Sequence, residues 1–456
     1  MKFARAPAAA LGLAVAACAA DKPNVLILYI DDMGYADLGV TGNTQCRTPH
    51  IDSIAKNGVR FDNSYVTACV CSPSRAALMS GRYQQRFGFD ANAEGPRPPV
   101  KGDTKGLDLS VRTFADRMKD LGYATGIVGK WHIGQDKPEY LPNARGFDEY
   151  YGLLPHGIGA GKGGEPVPMW RNREPAPVPE DHTIAFGREA ETFIDRRKDG
   201  PWFLYCAFTA VHGPFVSPKD YLARFAGVTP PARANYLSML TLLDDTIGRI
   251  LGKLREHGLE EKTLVFVASD NGGPGGAASN GVFRGTKWTL WEGGIRSPVL
   301  IQWKGRIPGG RTLPHMVTQL DWMPTAVAAA GGEVKADWNL DGANLLPLLE
   351  GRSDKAPHEA LFWRFGIQYA VREGDWKLVK AHISHTEPKL FNLAKDPGEQ
   401  TDLASQEPAK VKHLQALWDA WNARNEPPRW IDERWNGDGG AARKAAKVFE
   451  LALHLL

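Results

Sequence analysis

This sequence predicts an α/β domain on a mostly parallel central sheet flanked by helices, followed by a smaller α+β domain with an antiparallel sheet. Three observations predict it. Apolar runs of buried-strand length alternate with stretches of helical apolar spacing from Asn24 onward. Four of those runs end in polar clusters: Asp31-Asp32, Lys130-Trp131-His132, His212-Gly213-Pro214 and Asp270-Asn271. After Gly351 the texture changes to short strands around tight turns. Alternating strands and helices build parallel sheets, and such sheets bind ligands beyond the carboxyl ends of their strands. The four exits should therefore meet at one edge.

The first element, 24–30, is a continuous apolar run suited to a strand buried on both faces. It stops at Asp31-Asp32-Met33-Gly34. Two carboxylates there repel each other, and either a cation between them or a turn-capping role would account for them. Pro49-His50-Ile51-Asp52 opens a short helix that Gly58 stops. A strand over 59–65 then delivers the chain to Cys71-Ser72-Pro73-Ser74-Arg75. Pro73 has no N–H to donate and suits a first helical position. Cys71 then lies at the positive end of a helix dipole; the alternative is a small buried cysteine.

Residues 110–121 have helical spacing, with Val111, Phe114, Ala115 and Met118 on one face, and a strand over 124–129 leads into Lys130. The Gly- and Pro-rich stretch 152–180 has no useful periodicity and reads as a functional loop, a wall of the substrate site. A helix over 183–197, a strand over 202–208, a long amphipathic helix over 234–257 and a strand over 264–268 follow. Beyond Gly351, strands over 361–365, 369–372 and 376–379 precede a helix over 408–424, and the tail from Arg429 is a candidate terminal helix. This divides the chain into an export segment (1–20), a large α/β domain (22–350) and a C-terminal α+β part (351–456).

With 456 residues, 43% hydrophobic and 23% charged, the chain has the composition of a globular protein. A net charge of +3, without long basic blocks, gives no footprint for nucleic acid. Lys2 and Arg5 ahead of an Ala-rich apolar stretch read as an export signal, too short to span a membrane. Val15-Ala16-Ala17-Cys18 resembles a bacterial lipobox, in which Cys18 would carry a lipid anchor; plain cleavage nearby is the rival. The expected location is the periplasm or, as a lipoprotein, the outer membrane of a bacterium. Cys46, Cys69 and Cys206 are left over, and the sequence gives no pairing for them.

The full run from Cys71 through Leu78-Met79-Ser80-Gly81 resembles the signature of the type I sulfatases. The resemblance extends to Asp31-Asp32-Met33-Gly34, Gly129-Lys130-Trp131-His132, Asp270-Asn271, the stretch from Arg284 to Arg296, and 390–399. It is strongest toward the branch of arylsulfatase A and N-acetylgalactosamine-6-sulfatase, and it implies an alkaline phosphatase-like fold. It also implies that Cys71, rather than Cys69, is converted to formylglycine by a maturation enzyme and becomes the nucleophile. Asp31, Asp32, Asp270 and Asn271, with the modified Cys71, would hold one metal ion. Their oxygen donors point to a hard cation, Ca²⁺ ahead of Mg²⁺. Arg75 would support the nucleophile, and Lys130 and Lys287 would bind sulfate oxygens. His212 would be the general acid and His132 a base or hydrogen-bond partner, with these two roles exchangeable. His156 is a candidate substrate contact. Trp131, Trp170, Trp288 and Trp291 are candidates for stacking on a sugar, against the commoner role of aromatics in the core.

The expected activity is hydrolysis of sulfate esters, from sulfated carbohydrate or aryl sulfates. Two alternatives stand beside it. A phosphohydrolase of related fold would use serine or threonine where this chain has Cys71. A catalytically silent, metal-dependent glycan-binding protein would leave Cys71 unmodified.

Overall fold

The computed structural model describes residues 22–93, 105–155, 167–381 and 385–430. The export segment with Cys18, residue His156 and most of the tail lie outside them. Strand β1 (Asn24–Ile30) is buried at every residue, as its unbroken apolar run requires. It sits in the middle of a ten-stranded sheet with β2 (Val59–Tyr65), β3 (Ala124–Lys130), β4 (Glu149–Leu153), β5 (Met169–Arg171), β6 (Glu174–Ala176), β7 (Trp202–Ala207), β8 (Thr263–Ser269), β9 (Val299–Gln302) and β10 (Arg311–Thr318). The order across the sheet is β10-β2-β9-β8-β1-β7-β3-β4-β5-β6.

Strands β8, β1, β7, β3 and β4 are mutually parallel. The sheet as a whole is mixed, with this parallel set at its centre and β10 also parallel to β2, in keeping with the expected mostly parallel central sheet. Strand β9 runs antiparallel to both β2 and β8, and β5 runs antiparallel to β4 and β6. Between β8 and β9 runs a long connection whose one regular element is a four-residue helix, Glu292–Ile295, and the chain returns beside β8 in the antiparallel sense. The Gly- and Pro-rich stretch contributes the two three-residue strands β5 and β6.

Alternation along β1 feeds two cores. Val25, Ile27 and Tyr29 face the helices Cys71–Ser80, Phe114–Asp120 and Trp322–Ala329. Leu26, Leu28 and Ile30 face Pro49–Lys56, His182–Arg197 and the 26-residue helix Pro231–Glu256. Helix Phe114–Asp120 starts later than its apolar spacing suggests. Thr113 Oγ1 accepts from the Asp116 N–H at 3.1 Å, and Asp116 Oδ2 accepts from the Thr113 N–H at 2.8 Å. This capping box fixes the first turn at Phe114.

A second sheet, β11 (Ala360–Phe365), β12 (Gln368–Glu373), β13 (Trp376–Lys380) and β14 (Lys389–Asn392), is antiparallel in chain order. One face packs under helix Pro408–Asn422 through Val371, Leu378, Leu390 and Leu414. Trp363, Phe365, Ala370, Val379 and Phe391 join the main core instead. Cys46, Cys69, Cys71 and Cys206 are all buried, and no disulfide joins them among the described residues. Among the described residues, no helix is long and apolar enough to cross a membrane.

Candidate active site

The strand order places the predicted exits side by side. Asp31 directly follows β1, which lies between β7 and β8, and Lys130 ends β3, the neighbour of β7. Backbone bonds continue the ladder past the strand ends. The Asp31 N–H donates to Ala210 O at 3.0 Å, the Val211 N–H to Asp31 O at 2.7 Å and the Asp270 N–H to Ile30 O at 3.0 Å. The turn carrying His212 and the Asp270-Asn271 pair are thereby tied to the Asp31-Asp32 corner. Close approach of β3 and β7 is possible because Gly129 (φ 109°) has no side chain; a Cβ there would stand 2.0 Å from Ala207 O.

Three residues of this corner have left-handed backbones: Asp32 (φ 62°), His132 (φ 63°) and Trp288 (φ 77°). Each such conformation costs a non-glycine residue on the order of 1–3 kcal/mol and persists where the surroundings over-determine it. Their gathering at one edge marks the place where the fold stores strain to aim side chains.

Helix Cys71–Ser80 begins at Cys71, two residues earlier than a proline in the first helical position would give. Pro73 still falls in the first turn, where a missing N–H leaves no bond unmade. Cys71, 1% exposed, points its Sγ into the corner, 3.3 Å from Lys287 Nζ. Cys69 lies in the core, and its carbonyl accepts the Trp288 N–H at 3.0 Å.

The charges around Cys71 alternate. Lys130 Nζ lies 2.6 Å from Asp31 Oδ2, and Lys287 Nζ lies 2.7 Å from Asp32 Oδ1. Arg75 donates from Nη2 (2.7 Å) and Nε (3.0 Å) to Asp270 Oδ2, with Asp31 Oδ2 3.7 Å away. Its Nη1 donates to Lys130 O at 3.2 Å and reaches the Tyr205 hydroxyl at 3.5 Å. His212 Nδ1 lies 2.6 Å from Gly213 O and Nε2 3.6 Å from Asp32 Oδ2, so a proton on Nδ1 leaves Nε2 facing the site. Burial pushes the His212 imidazole down, against the pull of Asp32 and Asp31. Burial also pushes the Cys71 thiol well up, further than Lys130 and Lys287 pull it back. As a plain thiol, Cys71 would be a poor nucleophile.

Several features fit a divalent cation. Asp31 Oδ1 and Asn271 Oδ1 are buried with no hydrogen-bond partner among the described residues. Unpaired buried oxygens are costly unless something positive satisfies them. Burial and the neighbouring Asp31 push the Asp270 carboxyl up to about 7 despite Arg75. Burial likewise opposes ionisation of Asp31, but Lys130, His212 and Arg75 hold it well below the usual carboxylate range. Ligand atoms of Asp31, Asp32, Cys71 and His212 all lie within 4.8 Å of one another. Asp270 is placed slightly apart from that cluster: its Oδ1 accepts the Asp32 N–H at 3.2 Å and its Oδ2 takes Arg75. Asn271 joins through Nδ2, which donates to Asp32 Oδ1 at 2.7 Å. Carboxylate and amide oxygens in this number suit a hard cation.

Trp131 and Trp291 are corrected to core residues. Trp131 is buried and donates to Tyr140 O at 2.9 Å, and Trp291 is buried with the Arg284 guanidinium 4.0 Å from its ring centroid. Trp170 and Trp288 are half-buried. Sequence reasoning missed Tyr29 and Tyr205, which flank the Arg75 guanidinium from the interior of β1 and β7. Nothing in their apolar runs distinguishes them from core aromatics.

Comparison with known proteins identifies the family. The sulfatase family model matches residues 23–332, and the model described as N-sulphoglucosamine sulphohydrolase, C-terminal, matches residues 281–422. Human (Homo sapiens) N-acetylgalactosamine-6-sulfatase is 33% identical over 87% of this chain and 83% of its own length. Human arylsulfatase A is 32% identical over 86% of this chain and 85% of its own. The crystal structure of Ps i-CgsB in complex with k-i-k-neocarrahexaose superposes with a TM-score of 0.84 at 31% identity, covering 90% of this chain and 95% of that one. A family match over more than half the chain, and relatives this similar over most of their length, carry one conclusion: the chain belongs to the sulfatase family and is a sulfatase enzyme.

Proposed function

We propose that this enzyme hydrolyses sulfate esters of carbohydrates, with Cys71 as formylglycine and one Ca²⁺ held by Asp31, Asp32, Asp270, Asn271 and the modified Cys71. The observation that carries the reading is the setting of Cys71, between Lys287 and the Asp31-Asp32 carboxylates at a helix start. A formylglycine hydrate would supply two hydroxyls, one to attack sulfur and one to expel sulfate afterwards. The carboxylates of Asp31, Asp32 and Asp270 offset the charges of Arg75, Lys130 and Lys287, so the side chains alone give little net pull on an anion. A bound Ca²⁺ would supply the surplus positive charge and polarise a sulfate oxygen.

Lys130 and Lys287 hold sulfate oxygens and stabilise the charge that grows on them. Arg75, locked by Asp270 and Lys130 O, supports the hydrate. His132, in its left-handed turn, assists hydrate collapse. His212 Nε2 protonates the departing oxygen. The negative charge of a bound sulfate ester favours the imidazolium this role needs, offsetting the effect of burial on His212.

A carbohydrate substrate is proposed because two relatives point to one: one is named N-acetylgalactosamine-6-sulfatase, and another was solved with k-i-k-neocarrahexaose. Residues 22–350 are the proposed catalytic domain and 351–456 the C-terminal part. Residues 1–20 direct export to a bacterial periplasm or, through Cys18, to a lipid anchor. A formylglycine-generating enzyme acts on the chain before it folds. A panel of sulfated mono- and oligosaccharides, with matched phosphate esters, tests the reading. Sulfate release from at least one saccharide is expected, and release of phosphate alone would reject it.

His212 gives a sharper test. A sugar alcohol needs a proton as its S–O bond breaks, whereas a nitrophenolate leaves without one. His212→Ala should lower kcat on the sulfated sugar by about 10²-fold more than on nitrophenyl sulfate. Equal losses on both would assign the proton to another group.

A further inference from the structure

Lys287 sits in the long connection between β8 and β9, which has little regular structure to hold it. Its backbone is tied to the catalytic core by the Lys287 N–H to Gly273 O (3.2 Å) and the Trp288 N–H to Cys69 O (3.0 Å). A further grip comes from the C-terminal sheet and the turn after it. Gln368, at the start of β12, donates from Nε2 to Trp288 O at 3.0 Å and accepts the Leu290 N–H at 3.2 Å. Lys377 of β13 donates to Leu290 O at 2.9 Å, and its ammonium stands between Glu292 (2.9 Å) and Glu399 (2.8 Å). Glu399 Oε2 takes the Glu292 N–H at 2.7 Å, and Glu399 O takes Arg284 Nη1 at 2.9 Å.

These contacts fall on residues 284, 288, 290 and 292 and bracket Lys287. Side chains of Lys377, Glu292 and Glu399 are wholly buried. A buried charge chain is a weak source of stability and a strong constraint on geometry, since each member must stay where its partner is. Trp288 is also one of the strained residues of the site, and Gln368 holds its carbonyl.

We infer that Gln368, backed by the Lys377–Glu399 pair, is a positioning residue for Lys287. It keeps Trp288 in its left-handed turn, and thereby keeps the Lys287 ammonium between Asp32 and Cys71. On this account the C-terminal sheet supports the catalytic apparatus through Gln368 and Lys377. The inference rests on the proposed role of Lys287 at the sulfate.

The test is a double-mutant cycle on the matured full-length enzyme, with Gln368→Ala, Lys287→Ala and both together, read with nitrophenyl sulfate. Gln368→Ala should lower kcat by about tenfold to 10²-fold, the scale of a misplaced catalytic group, and should cost little more once Lys287 is already alanine. Amide hydrogen exchange should quicken over residues 284–292 and stay unchanged in β1 and β8. The same fold-loss with and without Lys287, or unchanged kcat in Gln368→Ala, overturns the inference. Should Gln368→Ala not fold, Gln368→Asn, one methylene shorter, is read the same way. A wild-type enzyme that releases no sulfate from any ester would sink the proposed role of Lys287. The exchange readout then still decides whether Gln368 holds the loop, and unchanged exchange at 284–292 rejects that too.

Discussion

Replacing Cys71 with alanine should abolish sulfate-ester hydrolysis, lowering kcat by about 10⁶-fold, the scale of losing a hydrolase nucleophile. Without calcium, thermal unfolding should stay near that of the wild type, because the change alters one small side chain beside Lys287 and the carboxylate corner. The same loss is expected of the wild-type sequence produced without a maturation enzyme. Burial holds the Cys71 thiol well above its ordinary range, so an unmodified side chain is neither a thiolate nor a good nucleophile at neutral pH. Peptide mass spectrometry should find activity in proportion to the aldehyde at Cys71, with Cys69 remaining a thiol. Cys69 misses the pattern that Cys71 makes with Pro73 and Arg75, since Pro73 stands four residues after it and two after Cys71. An active preparation with an intact thiol at Cys71 would overturn the proposed nucleophile.

The strand exits are legible in the sequence because polarity changes abruptly there. An apolar run that stops at Asp31-Asp32 or Asp270-Asn271 states both where a strand ends and what it delivers. The parallel neighbours β8, β1, β7 and β3 then bring those ends together. What stays hidden depends on distant pairing. Nothing in the sequence links Glu292, Lys377 and Glu399, and only the packing of the second sheet against the β8–β9 connection buries them together. Gln368 is equally silent. The left-handed turns at Asp32, His132 and Trp288 carry no glycine to announce them, since tertiary contacts rather than local preference impose them. Strand β9 has four residues, too few for a periodic pattern, and its antiparallel course depends on a connection whose path the sequence does not reveal. Trp131 and Trp291 could not be separated from Trp170 and Trp288 for a related reason. Aromatics serve cores and sugar sites alike, and burial alone distinguishes them.

Asp31→Asn should remove the response to calcium and lower kcat by about 10⁴-fold, the rate equivalent of the several kcal/mol a catalytic metal supplies. Two roles compete for this residue. Its Oδ2 pairs with Lys130 at 2.6 Å, while its Oδ1 is buried without a hydrogen-bond partner among the described residues. If the carboxylate only anchors Lys130, neutralising it weakens the metal-free fold and leaves calcium binding in place. If it also holds the cation, the calcium response goes as well. Thermal unfolding with and without calcium separates the two cases. A ligand that binds only the folded chain stabilises it by about 2.7 kcal/mol at a hundredfold excess over its dissociation constant, so the wild-type Tm should rise measurably. The Asp31→Asn Tm should start lower and stay flat. A variant that keeps the calcium shift would confine Asp31 to the support of Lys130. A wild-type enzyme at full rate after exhaustive chelation would remove the metal from catalysis altogether. Between those outcomes, the oxygens of Asp31 and Asn271 favour the cation, because a corner that has paired Arg75, Lys130 and Lys287 so closely leaves these two buried acceptors without a hydrogen bond among the described residues.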